Sequence, residues 1–193
     1  MKLLPGANAP ALSLSSIRGE PVDIPDPSER LVHLQFRRFA GCPVCNFHLL
    51  SLSRRFEDIR GAGIREVAVF HSSREEMLKY QAQLPFDCVA DPGKALYRQF
   101  GVEESWLAPL HPAVLWAGFR GVLATGKLYK RAENGILGLP ADFLIAPTGK
   151  VLAAHYGRHA YDNWDADQLL RLAAMRDAST SSWKRSQPMQ RFW

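Results

Sequence analysis

Two cysteines separated by two residues, Cys42-Pro43-Val44-Cys45, stand where an apolar run ends and a helical pattern begins. Proline is favoured at the first helical position, so Pro43 there makes Cys42 the N-cap, beside unpaired backbone N–H groups. The positive end of the helix dipole and two nearby arginines, Arg37 and Arg38, favour a thiolate. Cys42 is therefore expected to titrate below the ~8.5 of a free thiol, and it is the candidate nucleophile. Cys45 lies one turn further in, aligned with an apolar stripe and within reach of the first sulfur. It is the natural resolving thiol: once Cys42 has attacked an oxidised substrate, Cys45 closes an internal disulfide that a reductant reopens. The pair suits a reversible two-electron switch.

Two blander readings stay open. Free cysteine is among the most buried residue types, so both could be small core residues, although a Cys-x-x-Cys at a strand-to-helix junction favours redox chemistry. A structural zinc site wants four ligands, and there is no second Cys-x-x-Cys, only Cys88 and His48 in reserve. No metal and no other cofactor is expected. Cys88 falls within a predicted strand and reads as core.

The elements that must position these thiols are legible on both sides of the motif. Val32, Leu34 and Phe36 alternate with Leu31, His33 and Gln35, a period of two that predicts a strand. Beyond the motif Cys45, Leu49, Leu52, Phe56 and Ile59 recur at helical spacing, which predicts one helix stopping at the Gly-Ala-Gly of 61–63. "IREVAVF" predicts a second strand and "SSREEMLKYQAQL" a helix capped by Ser72 or Ser73. "FDCVA" predicts a third strand, and "DPGKALYRQFGV" a helix opened by Asp91-Pro92 and closed by Gly101. Strands alternating with helices imply parallel βαβ units. "ADFLIAPTGKVLAAHYG" then predicts an antiparallel hairpin, and "DADQLLRLAAMRDA" a last amphipathic helix. Residues 1–30 suit an edge hairpin or an irregular arm.

The segment of about 103–139 breaks the alternation and reads as an insertion, with Trp106 and Trp116 taken as core. One domain is expected over 1–176, followed by a basic, aromatic, flexible tail over 177–193. A chain of 193 residues with 47% hydrophobic content can bury a sizeable core. From Ala178 to Trp193 the chain carries Lys184, Arg185 and Arg191 and no acid, which leaves +2 of the net +5 for the rest. Nucleic-acid binding is not expected, because the basic residues concentrate there and no groove-reading motif appears. The amino terminus lacks the continuous apolar stretch of a secretory signal, and no run reaches a membrane span. A cytoplasmic, soluble protein with no membrane partner is expected.

Four segments in the right order resemble the peroxiredoxin-like (alkyl hydroperoxide reductase/thiol-specific antioxidant) branch of the thioredoxin fold. They are "LLPGANAPALSLSSIRGEPVDI", "FRRFAGCPVCNFHL", "LPFDCVADPGKALYRQFGV" and "LPADFLIAPTGKVLAAHYG", and the likeness as a whole covers about Leu4 to Leu172. The resemblance implies an α/β, thioredoxin-like fold: a central mixed sheet flanked by helices, with the insertion before the last hairpin. It also implies Cys42 as the reactive cysteine, and it puts Pro140 where thioredoxin folds keep a cis-proline facing the active site. Peroxiredoxins place a proline and then a threonine or serine before the reactive cysteine; here Gln35 and Phe39 hold those places. A donor lost from such a site costs roughly 2.7–4 kcal/mol of transition-state stabilisation, so it has to come from elsewhere. Arg37, Arg38 and Arg158 are the candidates, and strand alternation lets only one of Arg37 and Arg38 face the thiols.

The function expected is a thiol-dependent antioxidant oxidoreductase that reduces peroxides through Cys42 and Cys45. Its partner would be a thiol reductant such as a thioredoxin-like or glutathione-linked system; a homodimer stays open. Two alternatives remain: a thioredoxin-like disulfide reductase or electron carrier, suggested by the short Cys-x-x-Cys spacing, and a non-catalytic thioredoxin-fold binding module using the insertion and tail. The last predicts that Cys42→Ser leaves function intact.

Overall fold

The computed structural model describes residues 1–26, 28, 31–102, 116, 120, 122–123, 133–135 and 138–185, the last ten of these by their backbone alone. Its centre is a five-stranded mixed sheet in the order β5-β4-β3-β6-β7. The inner strand β3 (Leu31–Phe36) runs parallel to β4 (Ile64–Phe70), which is parallel in turn to β5 (Asp87–Ala90). On its other side β3 pairs antiparallel with β6 (Ala141–Ile145), and β6 with β7 (Val151–Tyr156). The mixed sheet flanked by helices is therefore the observed one, and the late hairpin falls where the Pro-Thr-Gly turn predicts it. A separate two-stranded hairpin, β1 (Leu12–Ser15) with β2 (Pro21–Ile24), forms the predicted amino-terminal arm.

Two cores share the sheet. On one face Val32, Leu34 and Phe36 of β3 pack with Val67 and Val69 of β4, Val22 and Ile24 of the hairpin, and Leu96, Tyr97 and Phe100 in and after α4 (Ala95–Gln99). The other face carries α1 (Pro43–Arg54), α2 (Phe56–Gly61) and α5 (Ala166–Arg185), whose Leu49, Leu52, Ile59, Leu169 and Ala173 meet Leu31, Ile64, Ala68 and Phe70. The predicted stripe thus buries as read, but the helix is broken once at Arg55, whose N–H turns back to Leu52 O at 3.0 Å. The helical run ends at Gly61, and Gly63 takes φ +69°.

Two predicted helices are shorter than their patterns. Helix α3 (Arg74–Leu78) is capped by Ser73, whose Oγ accepts from Glu76 N at 3.3 Å. It stops early because Gln81 is drawn fully inside, donating to Ala40 O and Asn46 Oδ1 at 2.8 Å each. In α4 the Asp91 carboxylate accepts from Ala95 N and Leu96 N at 2.9 and 2.8 Å, which is the opening that Asp91-Pro92 predicts.

Helix α5 runs further than predicted, to Arg185, since no proline interrupts it before Pro188. Most of the expected insertion, including Trp106, and the last eight residues, 186–193, lie outside the described residues. Trp116 is 63% exposed rather than core. A further correction concerns Pro140. Among the described residues the cis bond is Ile24–Pro25, and Leu139–Pro140 is trans. The trans bond keeps the chain extended into β6, and the Pro140 carbonyl accepts from Gly157 N at 2.9 Å, one step beyond the β6–β7 ladder. No helix among the described residues is long and apolar enough to cross a membrane.

Candidate active site

The chain leaves β3 at Phe36 and reaches Cys42 through a loop that is tied down on every side. Ala40 N donates to Ser72 Oγ at 3.0 Å, Ala40 O accepts from Asn46 Nδ2 and Gln81 Nε2, and Cys42 N donates to Phe39 O at 3.0 Å. Gly41 admits no larger residue without movement: a Cβ there would lie 3.2 Å from the Tyr80 ring. Pro43 then opens α1 and Cys42 caps it in an extended conformation, as the motif predicts.

Donors converge on Cys42 Sγ. Cys45 N approaches it at 3.4 Å, Arg38 Nη1 at 3.9 Å and the Cys45 thiol at 2.9 Å. All three cysteines are free and buried, Cys42 only 1% exposed. An S–S bond is about 2.05 Å long, so closure asks the two sulfurs to approach by less than about 1 Å.

Two buried thiols this close titrate as a unit. Burial raises Cys45, but its hydrogen bond to Cys42 and the Arg38 charge outweigh that and bring it down to about 7. Cys42 is pushed well above the ordinary thiol range by burial, then by the Cys45 hydrogen bond and charge. The expectation of a low pKa at Cys42 alone is thereby corrected, because burial and the neighbouring thiol outweigh the helix terminus. The pair gives up one proton readily and the second reluctantly. The donors on Cys42 and the lowered Cys45 leave that single charge shared across the 2.9 Å gap. Cys88 stays apart in β5, its thiol pushed up to about 12 by burial.

The two adjacent arginines part company, as strand alternation requires. Arg38 faces Cys42, and its guanidinium lies over the Phe39 ring at 5.5 Å. Phe39, at the place where the resemblance leads one to expect a hydroxyl, thus braces a cation beside the sulfur. Arg37 turns the other way, onto the sheet face under α1, and is 1% exposed. Its guanidinium donates to Gln35 Oε1 at 2.7 Å, Asp142 Oδ1 at 2.8 Å and Asn163 Oδ1 at 2.6 Å, and meets His48 Nε2 at 3.2 Å.

That contact set opens into a buried polar layer which sequence reasoning missed. His33 bridges Glu66 Oε2 at 2.8 Å and Asp142 Oδ1 at 3.2 Å, and Gln35 donates to Glu66 at 2.5 Å. Burial lowers the His33 pKa, but Glu66 and Asp142 raise it to about 9 overall, so the ring is a cation. Asp142 is held far below the usual carboxylate range by Arg37 and His33 against the effect of burial. Burial, then the Arg37 charge, pushes His48 down to about 3, which leaves Nε2 a neutral acceptor. The available signal was three polar residues, His33, Gln35 and Arg37, at spacings of two in an otherwise apolar strand.

Arg158 is not part of the site: its side chain is 92% exposed, 3.6 Å from Asp162. A residue just past the end of an edge strand, on a turn, has solvent on most sides. The Pro140 carbonyl is tied to Gly157 N. Among the described residues no three His, Cys, Asp or Glu side chains gather as a metal site.

Compared with known families, the chain matches the AhpC/TSA antioxidant enzyme over residues 51–159, more than half of its length. The chain belongs to the AhpC/TSA family. This AhpC/TSA protein is thus a thiol-dependent oxidoreductase, although the matched region begins after Cys42 and Cys45. No curated protein sequence matches it at a significant level. Among solved structures it is similar to the peroxidoxin BcpB of Mycobacterium tuberculosis, at 14% identity and a TM-score of 0.65, covering 90% of this chain and 97% of that one. The reduced 2-Cys peroxiredoxin of Plasmodium vivax gives 14% identity and a TM-score of 0.66 over 98% and 89% of the two chains. A protein described as a putative thiol:disulfide interchange protein DsbE from Chlorobium tepidum gives 23% identity and a TM-score of 0.59 over 89% and 99%. At these identities the likeness speaks for the fold, and that fold is thioredoxin-like.

Proposed function

We propose that this AhpC/TSA enzyme reduces peroxides, with Cys42 as nucleophile and Cys45 as resolving thiol. The Cys42 thiolate attacks the terminal oxygen of a hydroperoxide, the O–O bond breaks, and the alcohol or water leaves with a proton from the site. Cys42 becomes a sulfenic acid. The Cys45 thiol then attacks that sulfur, an S–S bond forms, and the S–O bond breaks to release water. Two thiol groups of an external reductant reopen the disulfide.

The observation that carries this reading is Cys42 Sγ itself: buried, approached by the Arg38 guanidinium, and faced by a second sulfur at 2.9 Å. Arg38 takes the place of the missing hydroxyl, offering positive charge where the O–O bond becomes polarised. Burial also weighs against the second reading, protein disulfide exchange, which the Cys-x-x-Cys spacing favours. A mixed disulfide with a protein needs far more clearance at the sulfur than a hydroperoxide does. A thioredoxin-like or glutathione-linked thiol system is the recycling partner in this reading, and the reducing cytoplasm is its compartment.

The test is stopped-flow tryptophan fluorescence of the pre-reduced protein mixed with hydrogen peroxide, an organic hydroperoxide or a small disulfide reagent, alongside Cys42→Ser. Fast oxidation by a peroxide, lost in Cys42→Ser, is the expected result. Slow reaction with every peroxide and prompt exchange with the disulfide would transfer the enzyme to the second reading. Full peroxide reactivity in Cys42→Ser would remove Cys42 as the nucleophile, and no reaction with any of the three reagents would favour the binding module.

A further inference from the structure

Cys45 and His48 are one helical turn apart on α1, both buried on the side that faces the sheet. Behind His48 stands Arg37, 3.2 Å from its Nε2. Arg37 is itself immobilised by Gln35, Asp142 and Asn163, and its backbone carbonyl accepts from the Tyr97 hydroxyl. A buried arginine with this many fixed partners does not reorient, so its charge has a set distance and direction from the first turn of α1.

The mechanism above uses Arg38 for Cys42 and leaves Arg37 without a task. Yet the second half of the cycle puts negative charge on the other sulfur. Cys45 carries negative charge when it gives up its proton to attack the Cys42 sulfenic acid, and gains it again when a reductant attacks Cys42, the S–S bond breaks and Cys45 departs as a thiolate. We propose that Arg37, acting through His48, is a positioning residue for Cys45: it holds the first turn of α1 against the sheet and offsets the charge that develops on Cys45 as the disulfide closes or opens.

The charge around Cys45 is consistent with that role. The titratable and charged groups that act on Cys45 or respond to it are Cys42, Arg38, Arg37 and Tyr97, and behind Arg37 lie His48 on α1, His33 on β3, Glu66 on β4 and Asp142 on β6. His33 and Arg37 as cations balance Glu66 and Asp142 as anions, and His48 is neutral. The layer brings no net charge of its own, and what reaches Cys45 depends on Arg37 standing nearest α1. Arg37 accordingly contributes to lowering the Cys45 pKa.

This inference rests on the proposal that Cys42 and Cys45 form a disulfide, and its test does not require a peroxide. The full-length protein is equilibrated in dithiothreitol redox buffers at pH 7 and the Cys42–Cys45 disulfide is quantified by thiol alkylation and mass spectrometry. Stabilising the reduced form makes a dithiol pair more oxidising, so removing the offset should favour the disulfide. Arg37→Gln is expected to shift the equilibrium constant toward the disulfide by about tenfold, or ~30 mV. Arg37→Lys should recover part of the shift, and the midpoint of Cys45 alkylation against pH should rise in parallel. His48→Leu leaves the Arg37–Asp142 ion pair in place and is the variant to use if Arg37→Gln does not fold. It should shift the constant the same way by at least about threefold.

Folded Arg37→Gln or His48→Leu protein with an equilibrium constant within about twofold of the parent would overturn the inference. A wild-type protein that forms this disulfide in redox buffer but ignores peroxides would sink the proposed function instead, and leave the Arg37 measurement readable.

Discussion

Replacing Asp142 by asparagine isolates the buried charge layer. The carboxylate is fully buried and accepts from Arg37 Nη2 at 2.8 Å, His33 Nε2 at 3.2 Å and Trp164 N at 3.2 Å. Asparagine keeps the volume but removes the charge, leaving two buried cations to share Glu66 alone. Breaking one partner out of such a cluster typically costs about 3–5 kcal/mol, because the remaining charge is uncompensated. In a chain of this size each kcal/mol is worth roughly 2–4 °C, so the melting midpoint should fall by about 6–20 °C.

The pH dependence sharpens the test. With the His33 pKa raised from 6.5 to about 9 in the fold, the linked stability, roughly 3 kcal/mol, is fully present below pH 6.5 and is lost as pH rises through about 9. Asp142→Asn removes one of the two anions that raise it, so the alkaline loss should begin at lower pH in the variant. Urea unfolding followed by far-UV circular dichroism at pH 6, 7.5 and 9.5 reads both effects. A Cys42→Ser/Cys45→Ser background keeps thiol titration out of the measurement. A variant within about 1 kcal/mol of its parent at pH 7.5 would refute the account of Asp142 as the essential counter-ion, since that is less than a third of the expected loss.

Two further outcomes are expected. Iodoacetamide alkylation of the reduced thiol pair should rise with pH around a midpoint near 7, move up by about one unit in Arg38→Met, and leave Cys88, pushed up to about 12, untouched at neutral pH; a midpoint unchanged by Arg38→Met would remove that cation from the thiol chemistry. Gly157→Ala should cost roughly 1–3 kcal/mol, because the new Cβ would lie 2.5 Å from Asp162 O and 2.7 Å from Pro140 Cγ, and a denaturation midpoint equal to wild type would mean that this turn relaxes freely.

How much of this was legible in the sequence depended on whether a residue's role was local. The alternation of Val32, Leu34 and Phe36, the stripe from Cys45 to Ile59 and the Pro43 position each rest on neighbours a few residues away, and each appears as read. The polar half of β3 did not yield its meaning. His33 and Gln35 look like a solvent-facing row, and their partners Glu66 and Asp142 lie 33 and 109 residues from His33 along the chain. The thiol titration was hidden for a related reason: helix polarity is visible locally, whereas complete burial of Cys42 is a tertiary fact. Arg158 and Pro140 came from the family resemblance; Arg158 lies exposed on the turn after β7, and the bond before Pro140 is trans rather than cis.

The 2.9 Å separation of the sulfurs bears on how such an enzyme survives its own substrate. Overoxidation needs a second peroxide to reach the sulfenic sulfur before it is consumed. A neighbour already hydrogen-bonded to it acts at an effective concentration that no peroxide in solution approaches. The competing route to the irreversible sulfinic acid is thus a race between an intramolecular step and a bimolecular one. In the proposed cycle, a pair preset at this distance stops for want of reductant before it stops through damage.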